Sequence, residues 1–127
     1  MNDGKLPTIS LQVEKQKDWD RAEEKMKIPK RFKLMGQTIE IVYDASLNDV
    51  DDNVGQTRYR RNQIVLQSHV EGVFRLPSSI EKTFLHELFH WLFHMAGEEE
   101  LRNNERLIAV LAGLLHQAMT TMEYEEE

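Results

Sequence analysis

Hydrophobic positions change period along this chain, and the changes divide it into three parts. Residues 10–28 are highly charged, with Leu11, Trp19, Ala22 and Met26 on roughly one side. That is a thin stripe of helical period. Ser10 is placed to cap such a helix and Pro29 to stop it. From residue 31 the period shortens to two. Phe32 and Leu34 precede Gly36, and Ile39, Ile41 and Tyr43 follow it, which predicts a hairpin turning at Met35-Gly36-Gln37. Residues 48–53 are acidic and loop-like. Gly55 to Tyr59 and Gln63 to Gln67 read as two further strands joined by Arg60-Arg61-Asn62. His69 to Leu76 fits neither period clearly.

After Pro77 the helical period returns strongly. Ser78 with Glu81 three residues on has the form of a capping box. A helix is predicted over about Ser79 to Ala96, with Gly97 just past its end. A second helix is predicted over about Glu99 to Met122, with Glu98, Glu99 and Glu100 at its positive N-terminal end. The tail from Glu123 is expected to fray. A helix, a run of strands and then two helices give an α+β class with a small, mostly antiparallel sheet. At 127 residues one domain is expected, able to bury about two-thirds of its surface. Its parts are an N-terminal helical segment (1–30), a sheet region (31–76) and a helical pair (78–122).

Composition narrows the chemistry. There is no cysteine, which excludes disulfides, thiolate zinc ligands, iron–sulfur clusters and a cysteine nucleophile. The start of the chain is polar with no apolar stretch of signal-peptide type, and the longest apolar run, Leu107 to Leu115, is far short of a membrane span. The expectation is a cytoplasmic protein with no membrane partner. The formal net charge of −6 argues against nucleic-acid binding. That charge is uneven: residues 1–35 hold 9 basic and 6 acidic side chains, residues 36–83 hold 5 and 7, and residues 84–127 hold 2 and 9. The acidity is concentrated in the helical pair.

His86-Glu87-Leu88-Phe89-His90 is an HExxH sequence. Residues i and i+4 share a helix face, so two imidazoles can reach one zinc ion, and the Glu beside the first His lies close enough to the metal's water to act as general base. Between Thr83 and Ala96 the polar side chains other than Trp91 are Thr83, His86, Glu87, His90 and His94. They fall within about 100° of arc on a helical wheel, with apolar residues around the remainder. This predicts a central, buried helix whose one polar stripe is either a site or a set of satisfied core groups. Candidates for a third ligand are Glu98, Glu99, Glu100, Glu105, His94 and His116. Glu105 is favoured: it lies at the edge of the stripe formed by Leu101, Ile108, Ala112, Leu115 and Met119, on a helix that must fold back across the first. The three consecutive Glu residues read as caps. His94 stands about 12 Å along the helix from His86 and reads as a supporting or substrate-side residue; His116 is about 16 Å along from Glu105, too far to share the metal.

Over about residues 55–115 the chain resembles the short zincins of the ImmA/IrrE type, found in bacteria, phages and integrative elements. The match consists of the strand-like Gly55-Gln56-Thr57-Arg58-Tyr59 and Ile64-Val65-Leu66, the HExxH motif with His94 four residues on, and an acidic residue on the next helix. Phe89 stands where those proteins often have Gly. Asn104-Glu105 is closer to the Asn-Glu of thermolysin-like gluzincins. The resemblance implies a minimal zincin-like domain in which His86, His90 and Glu105 hold one zinc ion and Glu87 is catalytic. The implied activity is a zinc-dependent peptidase acting on a protein or peptide substrate, of phage or mobile-element association. Tyr59, Arg58, His94 and His116 are candidates for oxyanion stabilisation, and the Gly55–Leu66 strand pair is a candidate edge for strand pairing with substrate. Two other classes remain: a metal-stabilised interaction module without turnover, and a metal-free helical adaptor docking through its basic N-terminal segment. The ligand set would also accept Mn, Fe, Co or Ni.

Overall fold

The hairpin expected from the alternating pattern forms around two residues with positive φ, Met35 (49°) and Gly36 (81°). Such a turn matches the right-handed twist of the strands it joins. It connects β1 (Arg31–Leu34) to β2 (Gln37–Tyr43), with Leu34 opposite Gln37. The computed structural model describes residues 26–44, 46, 54–70 and 73–125. The helix expected over residues 10–28 lies outside them up to residue 25, as does the acidic loop at 48–53. Met26 to Ile28 are not helical; Met26 and Ile28 instead pack against the core.

β3 (Gly55–Arg58) and β4 (Gln63–Leu66) follow, joined by a 3-10 turn at Tyr59–Arg61 and by Asn62 in the left-handed region. The strand order is β1-β2-β4-β3. The outer pairs are antiparallel, and β2 runs parallel to β4 with Ile41 opposite Ile64. The central β4 is deeply buried at Ile64, Val65 and Leu66, the unbroken apolar run of an interior strand. The segment with no clear period forms a second two-stranded sheet, β5 (His69–Val70) with β6 (Val73–Phe74).

The first long helix, α1 (Pro77–Ala96), begins two residues before the expected start. Pro77 occupies its first turn, where a missing N–H is harmless, and Leu76 is the cap residue with no side-chain bond. The capping box does not form, because Glu81 turns inward to His116 at 2.7 Å. Gly97, at φ 75°, ends the helix with its N–H on the His94 carbonyl, while the Glu98 N–H reaches the Phe93 carbonyl. That is the Schellman pattern expected of a glycine in this position. The second expected helix is broken. A short turn, α2 (Glu99–Arg102), is followed by α3 (Glu105–Thr121). The break falls at Asn103-Asn104, where the Asn104 side chain accepts the Leu107 N–H at 3.0 Å and caps α3.

α1 lies between the sheet and α3, touching β3, β4 and both later helices. Ile39, Ile64, Leu66, Phe84, Leu85, Trp91 and Ala112 form the core between these layers. Within the expected α3 stripe, Ile108 and Ala112 are buried, whereas Met119 is exposed. α1 is not covered all round either: Leu92 is 37% exposed. The expected mixture of helices and mostly antiparallel strands is present. Among the described residues, no helix is long and apolar enough to cross a membrane.

Candidate metal centre

Helix geometry brings His86 and His90 to one face of α1 one turn apart, with ring centroids 5.2 Å apart. The break at Asn103-Asn104 then supplies the third group. It makes Glu105 the first residue of α3, where a carboxylate is favoured by the helix dipole, and turns it towards α1. Glu105 Oε1 lies 2.8 Å from His86 Nε2, and Glu105 Oε2 lies 3.2 Å from His90 Nε2. One ligand atom from each of the three residues falls within 4.8 Å of the others. Donors in a tetrahedral zinc site with bonds of about 2.0–2.1 Å stand about 3.3 Å apart. The spacing and the donor types, two imidazole nitrogens and one carboxylate, therefore fit a single divalent ion with one position left for water. The same donor set suits other first-row divalent metals as well as zinc.

Glu87 is 7% exposed and points to the sheet, not away from it. Its Oε1 accepts a 2.6 Å hydrogen bond from the Thr57 hydroxyl on β3. Gly55, two residues before Thr57, makes the approach possible. A β-carbon there would overlap the Thr83 methyl group and stand 3.2 Å from Glu87 Oε2. Burial pushes the Glu87 carboxyl above its usual range, against the weaker downward pull of the Thr57 bond and the two imidazoles. Burial also acts to raise Glu105, but the bonds and charges of His86 and His90 outweigh it and leave that carboxyl lowered.

Two clefts flank this cluster. One, of about 450 Å³, is polar and is bounded by Thr57, Tyr59, Arg102 and Asn103. The other, of about 410 Å³, is lined by Val54, Ala109, Ala112 and Gly113, with Lys82 beside them. His86, Glu87 and Glu105 border both. Tyr59 stacks on His94 with ring centroids 4.2 Å apart and meets Trp91 edge-on at 5.1 Å.

The three residues expected to hold the metal converge, and the expected base stands beside them. Glu98, Glu99 and Glu100 are exposed at the start of α2, apart from the cluster. His94 stacks on Tyr59, which lines the polar cleft, but itself borders a separate hollow with Glu99 and Arg102. His116, an oxyanion candidate from sequence, is paired with Glu81 within the helical layer, and Arg58 bonds Gln56 at 2.7 Å. Three contributors were not apparent from sequence: Thr57, Arg102 and Arg75. Arg75 ties the Gln67 carbonyl (2.7 Å) and the Ser79 carbonyl (3.1 Å) to the Thr83 hydroxyl (2.6 Å), bracing the base of α1 against the chain entering it. The strand period offered a signal for Thr57, since Gly55, Thr57 and Tyr59 share one face. No protein-family model matches this chain, and neither a curated protein nor a solved structure matches it.

Proposed function

We propose that this chain is a zinc-dependent peptidase of minimal zincin type, similar to the ImmA/IrrE proteins, with His86, His90 and Glu105 as ligands and Glu87 as general base. The observation that supports this reading is the convergence of two imidazoles and a carboxylate within 4.8 Å, beside a second, buried carboxylate oriented by a hydroxyl. A divalent ion of zinc type, when bound, supplies Lewis acidity and lowers the pKa of water towards about 7. Glu87 accepts the proton of the attacking water and returns it to the leaving amine. Thr57 fixes the carboxylate's orientation, so the proton acceptor does not have to be ordered during the reaction. Burial moves Glu87 towards the working pH, which favours a base of this kind.

The sheet provides a place for the substrate. β3 is an edge of the four-stranded sheet and borders the polar cleft through Gly55 and Thr57. An extended peptide would add to it by main-chain pairing, with a small apolar side chain entering the cleft beside Ala109 and Ala112. An interaction module without turnover would have no use for an oriented, buried carboxylate beside its metal.

The test is cleavage of a proteome-derived peptide mixture by the zinc-loaded protein, read by mass spectrometry. Cleavage is expected to require zinc, to stop with chelator and to disappear in Glu87→Gln. A zinc-loaded wild type that leaves the mixture intact refutes the peptidase reading.

A further inference from the structure

The polar cleft contains a guanidinium that the proposed chemistry does not use. Arg102 ends α2, three residues before Glu105. Its guanidinium lies over the Tyr59 ring, 5.5 Å from the ring centre, a stack that holds a long side chain in place. Besides a hydrogen bond with the Tyr59 hydroxyl, its polar contacts are long. One terminal nitrogen is 3.2 Å from His94 Nδ1. The other is 3.7 Å from the Glu99 carboxylate, which is 80% exposed. Its buried Nε has no hydrogen-bond partner among the described residues. An arginine carries five N–H donors in a rigid fork. Here the fork borders the cleft that Asn103, Glu87 and His90 also line, and its carboxylate partner is the long, exposed contact to Glu99.

We infer that Arg102 is a specificity-determining residue that receives a carboxylate of the bound peptide, either an acidic side chain or the C-terminal group. The inference rests on the peptidase reading of the same cleft. A planar carboxylate matches the fork in two parallel hydrogen bonds. Tyr59 supplies the platform beneath the guanidinium and is itself backed by Trp91 and His94. A doubly charged phosphate is less suited, because Glu87 and Glu105 border the same cleft and repel it more strongly.

The experiment is a calorimetric titration of the full chain in a Glu87→Gln background, so that peptides are not consumed, with and without zinc. The probes are N-acetyl tetra-alanine amide, the same peptide with Asp at each position in turn, and N-acetyl tetra-alanine with a free C-terminus. One of the charged peptides is expected to bind at least about tenfold more tightly than the neutral one, about 1.4 kcal/mol. A preference for an Asp peptide identifies the side chain; a preference for the free terminus identifies the main-chain carboxylate. Adding Arg102→Gln should bring the affinity for that charged peptide down to that for the neutral one, and Arg102→Lys should retain part of the preference. Equal affinity for all probes, or a preference that survives Arg102→Gln, overturns the inference. Zinc content and peptide cleavage by the otherwise wild-type chain separate the two claims. Cleavage with no carboxylate preference removes only the role of Arg102, whereas a carboxylate preference without zinc or cleavage removes only the peptidase reading.

Discussion

Replacing His116 by Leu should destabilise the fold far more than a typical single substitution, and a second substitution should restore it. Glu81 is 1% exposed and His116 7% exposed, and their 2.7 Å bond joins α1 to α3. The other oxygen of Glu81 is buried with no hydrogen-bond partner among the described residues. His116→Leu therefore strands a whole carboxyl group in the helical layer. The cost ranges from about 2 kcal/mol for an unsatisfied neutral group to about 5 kcal/mol for an uncompensated charge. Total stability for a domain is about 5–15 kcal/mol. With an unfolding entropy of about 2.1 cal/mol/K per residue over the 127-residue chain, a loss of 3 kcal/mol lowers Tm by about 11 °C. Glu81→Leu combined with His116→Leu replaces both groups by apolar ones of similar volume and should return to within about 1 kcal/mol of wild type. Urea unfolding followed by circular dichroism, with chelator in every sample, measures all four corners of the cycle. If His116→Leu costs less than about 0.5 kcal/mol, or the double variant costs the sum of the two singles, the pair does not hold the helices together as described.

Other substitutions address the site itself. Gly55→Ala places a β-carbon against Thr83 and Glu87 and should cost about 1–3 kcal/mol by overpacking, read as a shift in urea midpoint. Thr57→Val removes the 2.6 Å bond to Glu87 and should lower kcat for peptide cleavage with little change in zinc content, whereas an unchanged kcat would show that orientation by Thr57 is unimportant. In chelated protein, burial raises the Glu87 pKa above its unfolded value. Its contribution to stability is then fully present below the unfolded carboxylate pKa of about 4.3 and is lost as pH rises through the folded value. Glu87→Gln has no such loss, so its stability relative to wild type should increase over that window and then level. A difference that stays constant with pH would contradict the assignment.

Local patterns were the legible part of this chain. The alternation around Gly36 defines the hairpin because one side of each strand must be buried, and the positive φ at Met35 and Gly36 explains the tightness of its turn. Gly97 marks the end of α1 because few other residues accept a φ of 75° there. The i, i+4 spacing of His86 and His90 states its own geometry, and Glu105 followed from the need for α3 to fold back across α1. What local pattern did not reveal depends on partners distant in sequence. Ser78 and Glu81 satisfy the form of a capping box, yet His116, thirty-five residues on, offers Glu81 a buried partner, and burial prevails. Asn104 looks tolerable inside a helix until its side chain accepts the Leu107 N–H and starts a new one. Arg102 looks like an ordinary basic residue at a helix end, and only the approach of β3 places Tyr59 beneath it.

The central claim is that His86, His90 and Glu105 form one metal centre. Elemental analysis of protein supplied with zinc and freed of excess tests it most directly, on wild type, His86→Ala, Glu105→Ala, Glu87→Gln and Glu99→Ala. About one zinc per chain is expected in wild type, Glu87→Gln and Glu99→Ala, and a small fraction of that in the two ligand variants. A wild type that stays metal-free, or ligand variants that retain a full equivalent, would contradict the account.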